Sequence, residues 1–417
     1  MLNLKYSKYL NITPLFYSVG DAAEQIFWGY ARARLLGKDL NIISPYRWTQ
    51  ILAYKISNRE LYKLVIASPF HERNVFYLSL VRLFVNFIFV VRRAFAIISR
   101  KYFCYSFPET WNFPTIGTDC YWPANSTEKD DYITSASDAI ISEIHCLTSF
   151  DLRKKTIYHC KNKLTMRGIV ESKKYICLHV RDAGFHQDAH RRPYRNADIN
   201  NYKKGIEFLI SHGFYVFRMG DASMGKLNID SDKYIDYPFT DLKSEKMDLF
   251  LIKNCEFYIG MQSGIYDVAL LFNKPVLLLN MYDWFFGYPF KSCDRGMLKK
   301  INVAGYQSPI TFQERLMLPF NYTDVRAIHG DNIAFIEHDS NQIFLAIKEF
   351  FLDYKSAFSR DMSPLMKENY NAYKNAVRSI LKNDNPLISN QFFSNSPVSI
   401  SHFALHALAA RGGIYDF

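Results

Sequence analysis

The chain has 417 residues, of which 49% are hydrophobic and 22% are charged. At roughly 150 residues per domain, this predicts two or three domains, each able to bury a core, and excludes a mainly disordered chain. Low glycine and proline counts (18 and 15) exclude collagen-like and low-complexity classes. Lysine and arginine (51) exceed aspartate and glutamate (40), for a net charge of +11. An anionic partner is therefore expected: nucleic acid, a phosphorylated substrate or an anionic lipid surface.

The cysteines and the start of the chain indicate a compartment. The seven cysteines lie far apart, with no CxxC pair and no Cys/His cluster at zinc-ligand spacing. This pattern favours free thiols in a reducing environment. The first residues are basic, but they lack the apolar run and the small-residue cleavage site of a signal peptide. We therefore expect a cytoplasmic protein.

The first 45 residues predict a strand, helix, strand unit. An apolar, strand-like run follows Asn11, Gly20 marks a turn, a helix is predicted over 22–36, and a second strand over 40–43. Asp21 stands at the start of the helix, where it is either an N-terminal cap or an acid or base.

The most hydrophobic stretch, residues 76–99, does not have the character of a membrane span. Its longest charge-free core is residues 83–91, well short of the roughly 20 residues that a span requires. Residues 73–108 include six basic side chains and no acidic one. Two interpretations stay open: a buried helix of the first domain, or a basic, apolar helix over 76–101 that lies on the anionic inner face of the cytoplasmic membrane.

The second half of the chain alternates β-rich runs with helical patterns, which predicts a doubly wound parallel sheet. Strands are predicted over 175–180, 215–219, 257–259 and 276–279, and helices over 200–212, 247–253, 266–272 and 341–354. A short polar stretch near residue 168 marks a domain boundary. We predict an N-terminal α/β domain over 1–168, a C-terminal α/β domain over 169–360, and helices over 361–417 that pack back on the first domain.

Polar residues follow the first predicted strand of the second domain, where ligands bind in open parallel sheets. His179 stands at the end of that strand, and Arg181 and Asp182 come directly after it. A guanidinium there either grips a phosphate in a fork or pairs structurally with an acid. The basic loop that follows, which includes Arg195, is either a mobile lid over an anionic leaving group or a solvated loop.

Two further strand ends carry a weaker signal. Arg218 stands near the end of the next strand, and Gly220 and Asp221 follow it. The glycine permits close backbone approach, and the aspartate can accept a hydrogen bond from a ribose or sugar hydroxyl. The third strand ends in Gln262-Ser263-Gly264 and leads straight into a helix, which offers its N-terminus to a phosphate or is an ordinary tight turn.

Together these segments resemble a known family. LHVRDAGFH, RNADI, RMGD and FYIGMQSGIYDVALLFNKPVLLLN resemble a group of bacterial glycosyltransferases encoded with surface-polysaccharide genes. More distantly they are similar to the fucosyltransferase-like branch of the GT-B architecture, whose His-x-Arg motif places an arginine on the donor diphosphate. The resemblance covers residues 12–45 loosely and 175–320 well.

The resemblance implies an α/β, GT-B-like fold with two Rossmann-like domains facing a cleft. It also implies that the domain over 169–360 binds the nucleotide-sugar donor and that the domain over 1–168 lies on the acceptor side. Carried over, Arg181 would stabilise the departing nucleoside diphosphate, and His179 would support the end of its strand. The other donor-binding residues implied are Arg218, Gly220, Asp221, Gln262, Ser263 and Gly264.

The acceptor hydroxyl usually needs a base, for which Asp21, Glu24, Asp182 and His186 are candidates. Glu314 either holds a donor hydroxyl or lies on a helix surface. Because arginines can stabilise the leaving group, we expect no metal and no cofactor beyond the nucleotide-sugar co-substrate. The acidic pair in Asp230-Ser231-Asp232 is interpreted as a solvated turn.

We therefore predict a hexosyl- or deoxyhexosyltransferase that moves a sugar from a nucleotide-sugar donor to a surface glycan or its lipid-linked precursor. The alternative is a noncatalytic nucleotide- or sugar-binding component of a polysaccharide assembly complex. A nucleic-acid-binding protein is disfavoured, because no basic-aromatic recognition module is found.

Overall fold

The computed structural model describes residues 8–12, 14, 16, 18–35, 37–44, 56–76, 78–80, 83, 150–169, 172–184, 193–282, 293–305, 309–310, 333–359 and 413–414. Most of the stretch over 76–101 lies outside these residues, and so does the segment 361–417 apart from Gly413 and Ile414. The prediction that the C-terminal helices pack back on the first domain therefore concerns residues outside the described part of the chain.

The N-terminal unit is a parallel strand, helix, strand unit. It consists of β1 (Tyr9–Ile12), α1 (Val19–Leu35) and β2 (Asp39–Ile42), and the two strands pair in parallel. This confirms the predicted order of elements and corrects two boundaries. The first strand ends at Ile12 instead of beginning there, and Gly20 lies inside the first turn of α1 rather than in a turn before it. The helix α2 (Arg59–Ala67) follows, with Asn58 as its N-cap.

The second half is built on a seven-stranded sheet in which every pairing is parallel. Its strands are β3 (Tyr175–Leu178), β4 (Tyr215–Arg218), β5 (Tyr234–Ile235), β6 (Tyr258–Gly260), β7 (Val276–Met281), β8 (Arg295–Leu298) and β11 (Gly413–Ile414). The spatial order is β11-β8-β7-β6-β3-β4-β5. Counted from β3, the first six strands have the Rossmann order 3-2-1-4-5-6, with the switch point between β3 and β6. The predicted α/β class and Rossmann-like second half are confirmed.

The helices around this sheet are α3 (Lys154–Thr165), α4 (Lys203–Ser211), α5 (Glu245–Asn254), α6 (Gly264–Leu271) and α7 (Ser340–Lys355). The predicted helix over 200–212 is divided, because Ile199–Tyr202 form a 3₁₀ turn before α4 begins. Several elements are not predicted by the sequence analysis. They are the helix α2, the strands β5, β8 and β11, and an antiparallel pair formed by β9 (Lys300–Val303) and β10 (Ile333–Ile336).

Alternating residues of the sheet serve two cores. On β3, Tyr175 and Cys177 face one core, whereas Ile176 and Leu178 face the other, as the two-residue period of a strand requires. The second core is covered by α4 and α7. The first also contains residues of β1, α1, β2 and α2, so the described parts of the two predicted domains pack directly on one another.

Candidate functional site

A polar pair, of which His179 is buried and Ser263 partly buried, bridges the switch point of the sheet. His179 follows β3 and Ser263 follows β6, and His179 Nδ1 lies 3.2 Å from Ser263 Oγ. The backbone N–H of His179 also donates to the carbonyl oxygen of Ile259 at 2.9 Å, which fixes the end of β3 against β6. Crevices at such a switch point are where doubly wound sheets bind their ligands.

The imidazole of His179 is neutral. Burial lowers its pKa to about 3, and the nearby positive charges of Arg218 and Arg181 contribute to the decrease. A histidine has its ordinary pKa near 6.5, so His179 stays uncharged throughout the physiological range. In the site, the side chain of His179 therefore acts as a neutral hydrogen-bonding group and not as a cation.

Arg181 lies two residues after His179, and it is only 6% exposed. Its guanidinium donates to Asn196 Oδ1, and its backbone carbonyl accepts from the N–H of Ala197 at 3.0 Å. A guanidinium carries five N–H donors in a planar fork, a geometry suited to phosphate oxygens.

The N-terminus of α6 lies beside the same pair. Ser263 is the N-cap residue and has an extended backbone, but its side chain makes no capping bond because its hydroxyl contacts His179. A helix N-terminus carries roughly half a positive charge and presents backbone N–H groups, so it favours an anion. In this protein the usual side-chain cap has been replaced by a contact across the switch point.

The helices α1 and α6 meet at two glycines in their first turns. A Cβ built on Gly20 would lie 2.2 Å from the Cα of Gly264, and one on Gly264 would lie 3.1 Å from the Cα of Gly20. This backbone contact brings the N-terminal turns of two helices to one place. Asp267, in the first turn of α6, places a carboxylate near the junction.

Gln262 joins the site to the neighbouring strand. It is buried, and its Oε1 accepts from the backbone N–H of Tyr282, just after β7, at 2.9 Å. Its backbone carbonyl accepts from Arg195 Nη2 at 3.3 Å. Arg195, predicted to lie on a mobile basic lid or a solvated loop, is thus anchored to the end of β6.

The residues predicted after β4 lie on the other side of His179. Arg218 is 1% exposed, and its Nη1 donates to Asp236 Oδ1 at 3.1 Å and to the Gly225 carbonyl at 2.6 Å. This pairing ties the end of β4 to β5. Gly220 has a φ of +146°, and a Cβ there would lie 2.1 Å from Met224 Sδ, so the turn requires glycine.

Both predicted aspartates in these loops accept backbone hydrogen bonds. Asp182 accepts from the N–H groups of Gly184 and Gly225, each at 2.9 Å, and thereby links the loops after β3 and β4. Asp221 accepts from the N–H of Ser223 at 2.8 Å.

Three other predicted residues have no described side chain. His186 and Glu314 lie outside the described residues, as does the side chain of Asp21, whose backbone is in the first turn of α1. Within the described ranges, no group of three or more His, Cys, Asp or Glu side chains could hold a metal ion. Two residues that the sequence analysis missed, Asn196 and Lys299, contact each other, and Asn196 also accepts a hydrogen bond from Arg181.

Comparison with known proteins gives limited guidance. No protein-family model and no curated protein matches the chain. Solved structures similar to it include a glycosyl transferase family 9 protein from Veillonella parvula, 10% identical, with a TM-score of 0.44 over 83% of this chain and 98% of that one. Another is the ADP-heptose LPS heptosyltransferase II of E. coli, 16% identical, with a TM-score of 0.35 over 84% and 99%. Likeness at this level establishes neither a family nor an activity.

Proposed function

We propose that the chain is a glycosyltransferase that moves a hexosyl or deoxyhexosyl group from a nucleotide-sugar donor to a surface glycan or its lipid-linked precursor. The observation that carries this proposal is the group of residues at the switch point of the Rossmann-ordered sheet. There, the buried Arg181, the neutral His179 paired with Ser263, and the N-terminus of α6 adjoin one another.

This arrangement suits a reaction in which a diphosphate leaves. Glycosyl transfer passes through an oxocarbenium-like transition state while negative charge develops on the departing group. Preorganised donors aimed at that charge lower the barrier. Arg181 and the first turn of α6 would supply such donors, so the proposed reaction needs no metal. Asp221, which follows β4, would accept a hydrogen bond from the ribose or the sugar.

The base for the acceptor hydroxyl is proposed among Asp21, Glu24, Asp182 and His186. Both carboxylate oxygens of Asp182 already accept backbone N–H groups, which hold the loops after β3 and β4 together. Because Asp182 has this structural role, the proposal shifts towards Asp21 or Glu24, which lie in α1, or His186.

A panel of nucleotide sugars tests the proposal. We expect the purified chain to release free nucleotide from one donor, and the matching nucleoside diphosphate to raise the Tm. At about a hundred times its Kd, a ligand adds about 2.7 kcal/mol to stability. Stabilisation by a nucleotide with no turnover, with or without glycan acceptors, would favour the noncatalytic component instead. Neither binding nor release across the panel would contradict both.

We also propose that the chain works at an anionic membrane surface. Where described, the residues between 75 and 83 are helical and expose large apolar side chains: Val75 (72%), Phe76 (74%), Leu80 (52%) and Leu83 (58%). The same part of the sequence, residues 73–108, carries six basic residues and no acidic one. Among the described helices, none is long and apolar enough to cross a membrane. An exposed apolar face within a basic segment is typical of a helix that lies in the lipid headgroup region.

Binding to phospholipid vesicles tests whether the chain works at an anionic membrane surface. The double variant Phe76→Ser, Leu80→Ser should bind anionic phospholipid vesicles at least about tenfold more weakly, since burying one such side chain contributes roughly 1.5–3 kcal/mol. Met166→Ser is the matched control, because Met166 is 86% exposed and lies after α3. Equal binding by the double variant and the control would contradict the proposal, as would equal binding to neutral and anionic vesicles.

A further inference from the structure

Residues 193–198 form a strap across the carboxyl ends of several strands of the sheet. The strap begins with the 3₁₀ turn Pro193–Arg195. Arg195 donates to the carbonyl of Gln262 after β6, and the guanidinium of Arg195 lies 5.3 Å from the centre of the Tyr282 ring after β7. Tyr194 packs edge-on against the same ring at 5.0 Å. The strap is therefore held to the proposed donor site by both polar and aromatic contacts.

Asn196 is the junction of the strap with two cationic side chains. Its side-chain Oδ1 accepts from Arg181 Nη1, and its backbone carbonyl accepts from Lys299 Nζ at 2.5 Å. Immediately after it, the N–H of Ala197 donates to the carbonyl of Arg181. Asn196 thus contacts both the guanidinium of Arg181, which is proposed to bind the diphosphate, and the lysine that follows β8.

Lys299 is an unusual anchor because it is only 3% exposed. It lies between β8 and β9, and its own N–H donates to the carbonyl of Met281 at the end of β7. Burial lowers the pKa of its amine to about 8, and the charge of Glu337 opposes this decrease. At neutral pH the group is still an ammonium, so its hydrogen bond to Asn196 is a charge-assisted one.

We propose that Asn196 is a positioning residue for Arg181, and that Lys299 positions the strap that carries Asn196, so that the guanidinium is held in place to receive the donor diphosphate. This inference rests on the proposed function for its consequence in catalysis. Its structural part, the control of the Arg181 side chain by Asn196 and Lys299, stands independently and is measured separately.

The structural part predicts a change in the reactivity of Arg181. Asn196→Ala removes the acceptor of Nη1, so phenylglyoxal should modify Arg181 faster than in the wild type, as followed by mass spectrometry of the peptide. Asn196→Asp keeps an acceptor oxygen and should retain the protection. Asn41→Ala is the matched control, since Asn41 is a buried asparagine of β2 that donates to Glu72. Thermal melting confirms that each variant is folded.

The catalytic part predicts a kinetic difference once a donor is known. Displacing a catalytic group by about 1 Å can cost about 10²-fold in rate, so Asn196→Ala and Lys299→Met should lower kcat/KM by about 10- to 100-fold, mainly through kcat. Lys299→Arg keeps the charge and should restore most of the activity. Lys253→Met is the control, because Lys253 Nζ also donates to a backbone carbonyl, that of Phe150.

The outcomes separate the two proposals. Unchanged modification of Arg181 in Asn196→Ala, with kinetics like those of the two controls, would overturn the inference. Failure of the wild type to bind or turn over any nucleotide sugar would overturn the proposed function alone. In that case the modification rates would still decide whether Asn196 holds Arg181.

Discussion

Replacing Arg181 by alanine should lower donor turnover by about 10²–10³-fold, the loss found when one preorganised donor to a developing negative charge is removed. Arg181 is buried at the end of β3, beside the switch point, and its planar fork matches two phosphate oxygens at once. The measurement is the rate of nucleotide release from the donor identified in the panel, together with the Kd of the matching nucleoside diphosphate.

Two arginine-to-lysine variants show whether the loss of turnover arises from the site itself. Arg181→Lys keeps the positive charge but loses the fork, so it should recover only part of the activity. Arg295→Lys is the matched control, because Arg295 is as buried as Arg181 but lies at the amino end of β8, where its Nε donates to Asp353 at 3.0 Å. Arg295→Lys should lower the Tm and leave turnover per folded molecule unchanged. Wild-type turnover in a folded Arg181→Ala protein would refute the role of Arg181.

Local sequence patterns predicted the four central strands of the second half, β3, β4, β6 and β7, because each of them carries its own signal, whereas the outer strands β5, β8 and β11 were not predicted. The four residues of β3 are all apolar, as expected for a strand covered on both faces, and Gly213 follows α4 as a C-terminal glycine should. Parallel strands end at the same edge of the sheet, so the residues at the strand ends predict that His179 and Ser263 belong to one site.

The features that could not be predicted depend on contacts between distant parts of the chain. Asn196 and Lys299 are 103 positions apart, and neither stands in a motif that indicates the other. A glycine at position 20 predicts a turn, but Gly20 lies in a helix. Its close backbone contact with Gly264 of α6 explains the glycine, and the sequence alone does not show that these two residues are neighbours. In the same way, the pairing of Arg218 with Asp236, which ties the end of β4 to β5, is not indicated by any motif around either residue.

Gly20→Ala should destabilise the protein, although alanine is the better helix former. In an α-helix this change alone would contribute about 0.5–1 kcal/mol of stability. The new Cβ, however, would lie 2.2 Å from the Cα of Gly264, and backbone cannot move aside as a flexible side chain can. Overpacking of this kind typically costs about 1–3 kcal/mol, so the steric cost exceeds the gain in propensity. A decrease of several degrees in Tm is expected, at about 2–4 °C per kcal/mol.

Gly29→Ala separates the effect of the backbone contact on stability from the effect of helix propensity. Gly29 lies in the same helix, so its replacement by alanine gives the same gain in helix propensity. The three atoms nearest to its added Cβ all belong to side chains: Cδ1 of Ile12 at 2.7 Å, Cγ2 of Ile12 at 3.2 Å and Cδ1 of Leu40 at 3.6 Å. We therefore expect a much smaller change in Tm for Gly29→Ala than for Gly20→Ala. If the backbone contact also sets the distance between the N-termini of α1 and α6, Gly20→Ala should weaken binding of the nucleoside diphosphate, whereas Gly29→Ala should not. Equal Tm values for the two variants would show that α1 and α6 are not in backbone contact at Gly20, and the convergence of the two helix N-termini would have to be abandoned.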